Sequence, residues 1–267
     1  MHSIRQPAVA GIFYPGRKEA LAATVNSLLT AAPNTRADGV PKAIVVPHAG
    51  YIYSGQTAAT AYARLRAGRS AIHRVVLLGP VHRVPVRGLA LPGVDALATP
   101  LGTIELDQAA IAQIAELRQV VVSPAAHAQE HSLEVQLPFL QTLLDDFKIV
   151  PLAVGDATPS EVAEVLEKLW GGAETLIVIS SDLSHFLPYR AAQHADRDTA
   201  EDILNLQSTL THAQACGGTP LNGLLLAARK RQLRPQLLAQ CNSGDTSGDR
   251  DRVVGYGAFA FTEETHH

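Results

Sequence analysis

The sequence predicts a single α/β domain, a mostly parallel or mixed central sheet flanked by helices, and three features carry the prediction. Short runs of β-branched and other apolar residues alternate with longer segments whose apolar residues recur at helical spacing. The strand-like runs are apolar throughout, as strands covered on both faces are. No linker-like, low-complexity or charge-rich stretch divides the 267 residues, so 1–267 read as one domain.

The elements follow in order. Residues 16–32 have helical spacing, and the turn formers of 33–42 make a loop. The apolar run Ala43 to Val46 is a strand that stops at Pro47-His48-Ala49-Gly50, and 54–68 is a helix with Ser54 as its cap. The unit then recurs: Arg74 to Leu78 is a strand that ends in Gly79-Pro80-Val81-His82. Residues 87–106 are β-like with Gly and Pro punctuation, the pattern of a small antiparallel insertion. Helical spacing returns at 107–118 and 131–144, followed by a strand at 148–154 and a helix at 159–170 with Pro159 in its first turn. Thr175 to Ser180 is the most apolar strand and runs into Ser181-Asp182-Leu183-Ser184-His185. Helices near 189–206 and 218–231 precede strands at 236–242 and 253–262, a β-rich end that makes the sheet mixed.

Composition narrows the function classes. The chain carries a formal net charge of −3 and no basic stripe, which argues against nucleic acid as a partner and against an anionic membrane surface. No apolar run approaches the roughly 18 residues of a membrane span, and MHSIRQPAVAGIFYPG lacks the pattern of a signal peptide. Two cysteines, Cys216 and Cys241, make no disulfide framework, and a cytoplasmic setting is the expectation. The 11 His stand out against 6 Phe and one Trp; His266 and His267, at the end of the chain, are set aside.

In open α/β sheets ligands bind beyond the carboxyl ends of the strands. Three apolar strands end alike: one delivers His48, one His82, and one Asp182 with His185. Neighbouring strands lie about 4.8 Å apart, so such side chains can converge on one ion. Each histidine alone also reads as an ordinary hydrogen-bonded loop residue; their recurrence favours a shared polar site, and neutral imidazole is the usual nitrogen ligand of metals. Cys216, just before the helical run at 218, reads equally as a thiolate favoured by a helix N-terminus or as a buried inert residue. Cys241 lies in a strand pattern and reads as core. His127-Ala128-Gln129-Glu130-His131 matches the inverted zinc-peptidase pattern H-x-x-E-H, against which SPAA just upstream places His127 in a turn. Glu130 and His131 alternatively stand at the rim of the shared site.

Several blocks then occur in a fixed order: Arg5-Gln6-Pro7, Gly11-Ile12-Phe13-Tyr14-Pro15, Pro47-His48-Ala49-Gly50-Tyr51, Gly79-Pro80-Val81-His82, Glu130-His131-Ser132 with Glu134 and Leu137-Pro138, Ser180-Ser181-Asp182-Leu183-Ser184-His185, and Cys216-Gly217-Gly218. Together they span nearly the whole chain and closely resemble the Memo family. The resemblance implies a fold similar to class III extradiol dioxygenases, which use non-haem Fe(II). It further implies His48, His82 and Cys216 as metal ligands, with Asp182 and His185 in the same pocket. Two His and one carboxylate is the usual Fe(II) set of those enzymes, so a cysteine in third place is a departure. The expectation that follows is an iron-dependent redox enzyme of dioxygenase type, with Fe(II) as cofactor and Cu or Zn as alternatives. In it His185 is the acid/base, Asp182 orients His185 or a metal-bound water, and Glu130 and His131 lend polar support. The competing expectation is a non-catalytic module that binds iron or copper or recognises a partner. The substrate, small molecule or peptide, is open, and the resemblance suggests a radical-SAM partner protein.

Overall fold

The computed structural model describes residues 3–33, 39–246 and 248–263. His266, His267 and part of the loop expected at 33–42 lie outside them. The strands are β1 (Ile4–Arg5), β2 (Ala43–Val46), β3 (Arg74–Pro80), β4 (Leu89–Leu91), β5 (Ala96–Thr99), β6 (Gly102–Glu105), β7 (Val120–Val122), β8 (Lys148–Val154), β9 (Thr175–Ser180), β10 (His185–Leu187), β11 (Arg234–Asn242) and β12 (Val253–Thr262). Among the described residues the main sheet runs β10-β12-β2-β9-β3-β8-β4-β7, with β11 paired to β12. Its centre, β2-β9-β3-β8, is parallel; β12 runs antiparallel to β2, and β4 antiparallel to β8. The sheet is mixed, as the sequence implies.

Alternation along each central strand sorts its side chains to opposite faces. Ile44, Val46, Val75, Leu77, Leu176 and Val178 join one core, with the helices Lys18–Ala31, Tyr51–Tyr62 and Leu137–Leu143. Ala43, Val45, Val76, Leu78, Ile177 and Ile179 join the other, beneath the helices Gln108–Ile114, Pro159–Leu169 and Gly218–Lys230. Both faces are therefore covered, which is why these strands carry no polar alternation. The helix at Pro159 opens with a capping box: Thr158 and Glu161 bond each other's backbone N–H.

Some boundaries differ from expectation. The helix predicted from Ser54 begins at Tyr51, with Gly50 as its cap, and tightens into a 3-10 turn at Ala63–Gly68. Ser54 is already inside it: its N–H bonds the Gly50 carbonyl, and its hydroxyl bonds back to Ala49. The insertion at 87–106 divides. β5 and β6 form an antiparallel hairpin that joins β1 in a separate sheet, whereas β4 extends the main one. The helix expected from 131 does not begin there. A five-residue helix, Pro124–Ala128, ends first, and helical structure resumes as a 3-10 turn at Glu134–Gln136. His131 is left in the loop between them.

That loop is anchored from the N-terminus. Arg5 pairs with the Glu134 carboxylate at 2.6 Å and donates to the carbonyls of His127 and Glu130 at 2.8 Å each. Glu134, buried, also accepts from Ala8 N, Val9 N and the Tyr14 hydroxyl. A buried charge with this many partners is a positional lock: removing any one partner leaves the others unbalanced.

Candidate metal centre

β2, β9 and β3 are adjacent and parallel, with Val46 beside Ser180 and Ile179 beside Leu78. Their carboxyl ends therefore fall together. Pro47 and Pro80 end the first and third strands, and the chain turns out of the sheet with His48 and His82 at its rim. The loop after residue 128 crosses the same rim and contributes His131. One ring nitrogen from each of His48, His82 and His131 lies within 4.8 Å of the other two. The ring centroids stand 5.2 Å (His48–His82), 5.4 Å (His48–His131) and 4.7 Å (His82–His131) apart.

Two of the three rings, His48 and His131, are held neutral. Burial, reinforced by the neighbouring imidazoles, keeps His48 well below the ordinary histidine range, and burial takes His131 down to about 4. Glu130 organises the other side. Its carboxylate accepts from His82 Nδ1 at 2.8 Å, His82 N at 2.6 Å, His131 N at 3.0 Å and Ser132 N at 3.0 Å. Burial alone would raise the Glu130 carboxyl, but the bond and charge of His82 and these N–H groups outweigh it and hold it at about 2. An ionised carboxylate can only accept, so His82 carries a hydrogen on Nδ1, which leaves Nε2 as the ring nitrogen that would meet an ion. This is the carboxylate–histidine–metal arrangement of many metal sites.

His131 supplies the test of fit. Its Nδ1 is buried and has no hydrogen-bond partner, 3.3 Å from a Glu130 oxygen that already accepts three N–H groups. An orphaned buried nitrogen costs about 1–3 kcal/mol. A neutral imidazole beside two others, with one polar atom unsatisfied, suits a nitrogen-ligated cation.

Cys216 stands on the opposite side. Gly217 caps the helix Gly218–Lys230, and a Cβ there would sit 2.7 Å from the Ser181 Cβ and 2.8 Å from the Ser180 carbonyl, so only glycine allows this turn against the end of β9. The turn is fixed by Cys216 N to Asp182 O, 3.2 Å, and Gly217 N to Ser181 Oγ, 2.9 Å. It places Cys216 Sγ 3.3 Å from His48 Nε2. Nitrogen and sulfur ligands at about 2.05 and 2.3 Å from one ion stand about 3.1 Å apart at a right angle and about 3.6 Å at the tetrahedral angle. The observed separation lies between these limits. Burial, aided by the Asp182 charge, pushes the thiol up to about 12, so the helix N-terminus does not make a thiolate of Cys216 in the metal-free chain.

Asp182 and His185 have separate anchors. Asp182 Oδ1 accepts from His48 N at 2.8 Å, and burial raises the carboxyl to about 7 against the opposing N–H bonds of His48 and Ala49. His185 Nδ1 donates to the Leu183 carbonyl at 2.9 Å, so that carbonyl, and not Asp182, orients the ring. His82, His185 and Cys216 line a cleft of about 1020 Å³ whose other walls include Val81, Arg83 and Leu187. The zinc-peptidase arrangement at 127–131 does not form: His127 Nε2 bonds the Ala90 carbonyl at 2.7 Å, and Glu130 is spent on His82 and the loop. Cys241 bonds Thr57 Oγ1 at 3.1 Å, away from these residues.

The sequence singles out His48 and His82 of this cluster directly and offers His131 only as a residue at the rim of the site. Its membership depends on a loop that runs where a helix was expected, and its one signal was its position inside the Glu130-His131-Ser132 block. Among the described residues no helix is long and apolar enough to cross a membrane.

Comparison with known proteins agrees with this architecture. In Escherichia coli K12, the crystal structure of the uncharacterized protein JW3007 superimposes with a TM-score of 0.50 at 14% identity, covering 82% of this chain and 98% of that one, which supports a shared fold alone. MEMO1 family proteins of Ignicoccus hospitalis and Aquifex aeolicus are each 37% identical, covering 97% and 95% of this chain and 98% and 97% of the relative. One from Methanosarcina barkeri is 38% identical over 96% of this chain and 98% of its own length. The sequence profile described as Memo-like protein matches residues 5–260. The chain belongs to the Memo family.

Proposed function

We propose that the protein is a non-haem iron redox enzyme of dioxygenase type, in which His48, His82 and Cys216 hold the ion, His131 completes the set, and the cleft receives the substrate. The observation that carries the reading is the cluster itself: three convergent imidazoles, one with an orphaned nitrogen, and a sulfur 3.3 Å from His48 Nε2, at the wall of a cleft of about 1020 Å³. Bound iron supplies one-electron chemistry and open coordination positions. The chain's own groups do the rest. His82 and His131 are oriented through Glu130, and His48 through its backbone bond to Asp182. His185, protonated on Nδ1 toward Leu183, keeps its basic Nε2 on a residue that lines the cleft, and burial lowers its pKa so that it stands ready as a neutral base.

The sulfur supports a second reading, metal storage or delivery without turnover, because a soft thiolate beside imidazoles suits Cu(I). Anaerobic titration with Fe(II) and with Cu(I), followed by oxygen uptake across a panel of catechols and related chelating substrates, separates the two. The enzyme reading expects stoichiometric Fe(II), loss of it in His48→Ala, weaker binding in Cys216→Ser, and substrate-dependent oxygen consumption. Tight Cu(I) with no oxygen uptake on any metal favours storage, and an absence of metal binding sinks both.

A further inference from the structure

We infer that a buried relay, Tyr62–Gln136–Ser180, sets the tautomer of His48 and so aims its Nε2 lone pair at the metal centre. The inference rests on the metal-centre reading but is carried by different atoms. His48 Nδ1 lies 2.9 Å from Ser180 Oγ, and distance alone does not say which of the two donates. The remaining contacts of Ser180 decide it. Its Oγ is 2.6 Å from the Ser132 carbonyl, which can only accept, so the one hydroxyl hydrogen is spent there. The Gln136 amide group 2.8 Å from Ser180 Oγ is also 3.0 Å from the Pro47 carbonyl, another pure acceptor, so that group is the NH₂ end. Its opposite end accepts from the Tyr62 hydroxyl at 2.9 Å, and burial holds that phenol far above its ordinary pKa, protonated and able to donate.

Ser180 Oγ thus gives one hydrogen bond and receives one from Gln136, and a single lone pair is left facing His48. Nδ1 must carry the hydrogen. His48 Nε2 then bears the lone pair, directed to the side where Cys216 Sγ stands at 3.3 Å. Ser180 and Gln136 are fully buried, so no water substitutes for either partner. A free histidine side chain favours the opposite tautomer, with the hydrogen on Nε2, which cannot bind a cation there. Ser180, Gln136 and Tyr62 are positioning residues, none of them a ligand. The loop that carries His131 takes part twice, since Glu130 holds the Nδ1 hydrogen of His82 and the Ser132 carbonyl takes the hydroxyl hydrogen of Ser180.

The test is proton–nitrogen NMR of the metal-free, ¹⁵N-histidine-labelled full chain, in which the two ring nitrogens of each tautomer differ in shift and coupling. The expected result is His48 protonated on Nδ1 in the wild type and on Nε2 in Ser180→Ala, with affinity for Zn(II), used as the probe ion, reduced about 10- to 100-fold. Ser180→Thr, which keeps the hydroxyl, restores both. A wild-type His48 protonated on Nε2 overturns the relay whether or not metal binds, and so does a Ser180→Ala chain that keeps the Nδ1–H form. If Ser180→Ala does not fold, the wild-type spectrum alone decides. An Nδ1–H His48 in a chain that takes up no metal leaves the relay standing and sinks the metal reading instead.

Discussion

Replacing Glu130 with glutamine isolates the group that joins His82 to the loop of His131. The carboxylate side chain is 1% exposed, so its interactions are not diluted by solvent. It accepts four N–H groups, two of them at 2.6 and 2.8 Å from His82. Holding the carboxyl at about 2 against its ordinary 4.5 corresponds to about 3 kcal/mol, at about 1.4 kcal/mol for each tenfold. A glutamine has a single acceptor oxygen, and its NH₂ end would face donors, so most of that stabilisation disappears. Urea unfolding of the metal-free protein near pH 7 is expected to show Glu130→Gln less stable by about 3 kcal/mol. The sign of the pH effect follows. A carboxyl lowered on folding stabilises above its unfolded pKa and loses that contribution as pH falls toward the folded one. The gap between wild type and variant is therefore constant from about pH 8 to 5 and narrows below about 4.5. Zn(II) affinity is expected to drop about 10- to 100-fold as His82 loses its fixed tautomer. A gap under about 1 kcal/mol near pH 7 would overturn this role for Glu130, because four hydrogen bonds to a buried charge cannot be worth so little.

Other consequences are tested in the same unfolding experiments. His127, lowered by burial to about 4, binds its proton more tightly when unfolded, so stability falls as pH drops below the ordinary 6.5 and levels near 4; between about pH 7 and 5 the loss is about 2 kcal/mol. His131, also near 4, doubles it. His127→Gln keeps a donor for the Ala90 carbonyl and should flatten its share of the slope; parallel profiles for wild type and variant would remove His127 from the account. Arg5→Met strands the buried Glu134 charge and is expected to cost about 3–5 kcal/mol, with metal affinity falling as the loop of His131 loosens. A change below about 1 kcal/mol would mean that the backbone N–H groups and Tyr14 suffice to hold Glu134.

What the sequence revealed depended on how local the cause was. β2, β3, β8 and β9 were legible because strands covered on both faces must be apolar at every position, and Pro47 and Pro80 mark the ends of β2 and β3. The convergence of His48, His82 and Asp182 follows from strand ends on one side of a parallel sheet, a property of the fold class, whereas Cys216 ends no strand and enters the set through the resemblance to the Memo family. The loop at 129–133 was not legible, since its path is set by Arg5 and Glu134, 129 residues apart, and nothing local distinguishes it from a helix start. The protonation of Cys216, which the sequence leaves open between a thiolate and a buried thiol, is not legible for the same reason. A helix N-terminus favours a thiolate, but it was burial, invisible in the sequence, that prevailed and pushed the thiol to about 12. The helix at Tyr51 began three residues early because the Pro47–Gly50 turn, read as a strand stop, is also the helix entrance.

The state of that thiol offers a way to separate two ligand sets. If the ion is held by His48, His82 and His131 alone, no thiol has to ionise, and His131, which titrates near 4, and His48, held below its ordinary range, release no proton near neutral pH. Affinity is then flat with pH. If Cys216 binds, it must do so as thiolate, and a thiol at about 12 releases one proton for every ion taken up. Affinity then rises about tenfold for each pH unit at any pH below the thiol's own. Asp182, raised by burial to about 7, would add its own slope around neutrality, so the measurement belongs above its titration, from about pH 8 to 9. Chelator competition with Zn(II) over that range, on the wild type and on Cys216→Ser, gives the answer directly. The expected result is a unit slope in the wild type and none in the variant, which retains a weaker site built from the three histidines. A wild-type slope of zero would place Cys216 beside the ion without a bond to it, and its 3.3 Å approach to His48 Nε2 would then be only a contact between neutral neighbours in the metal-free chain.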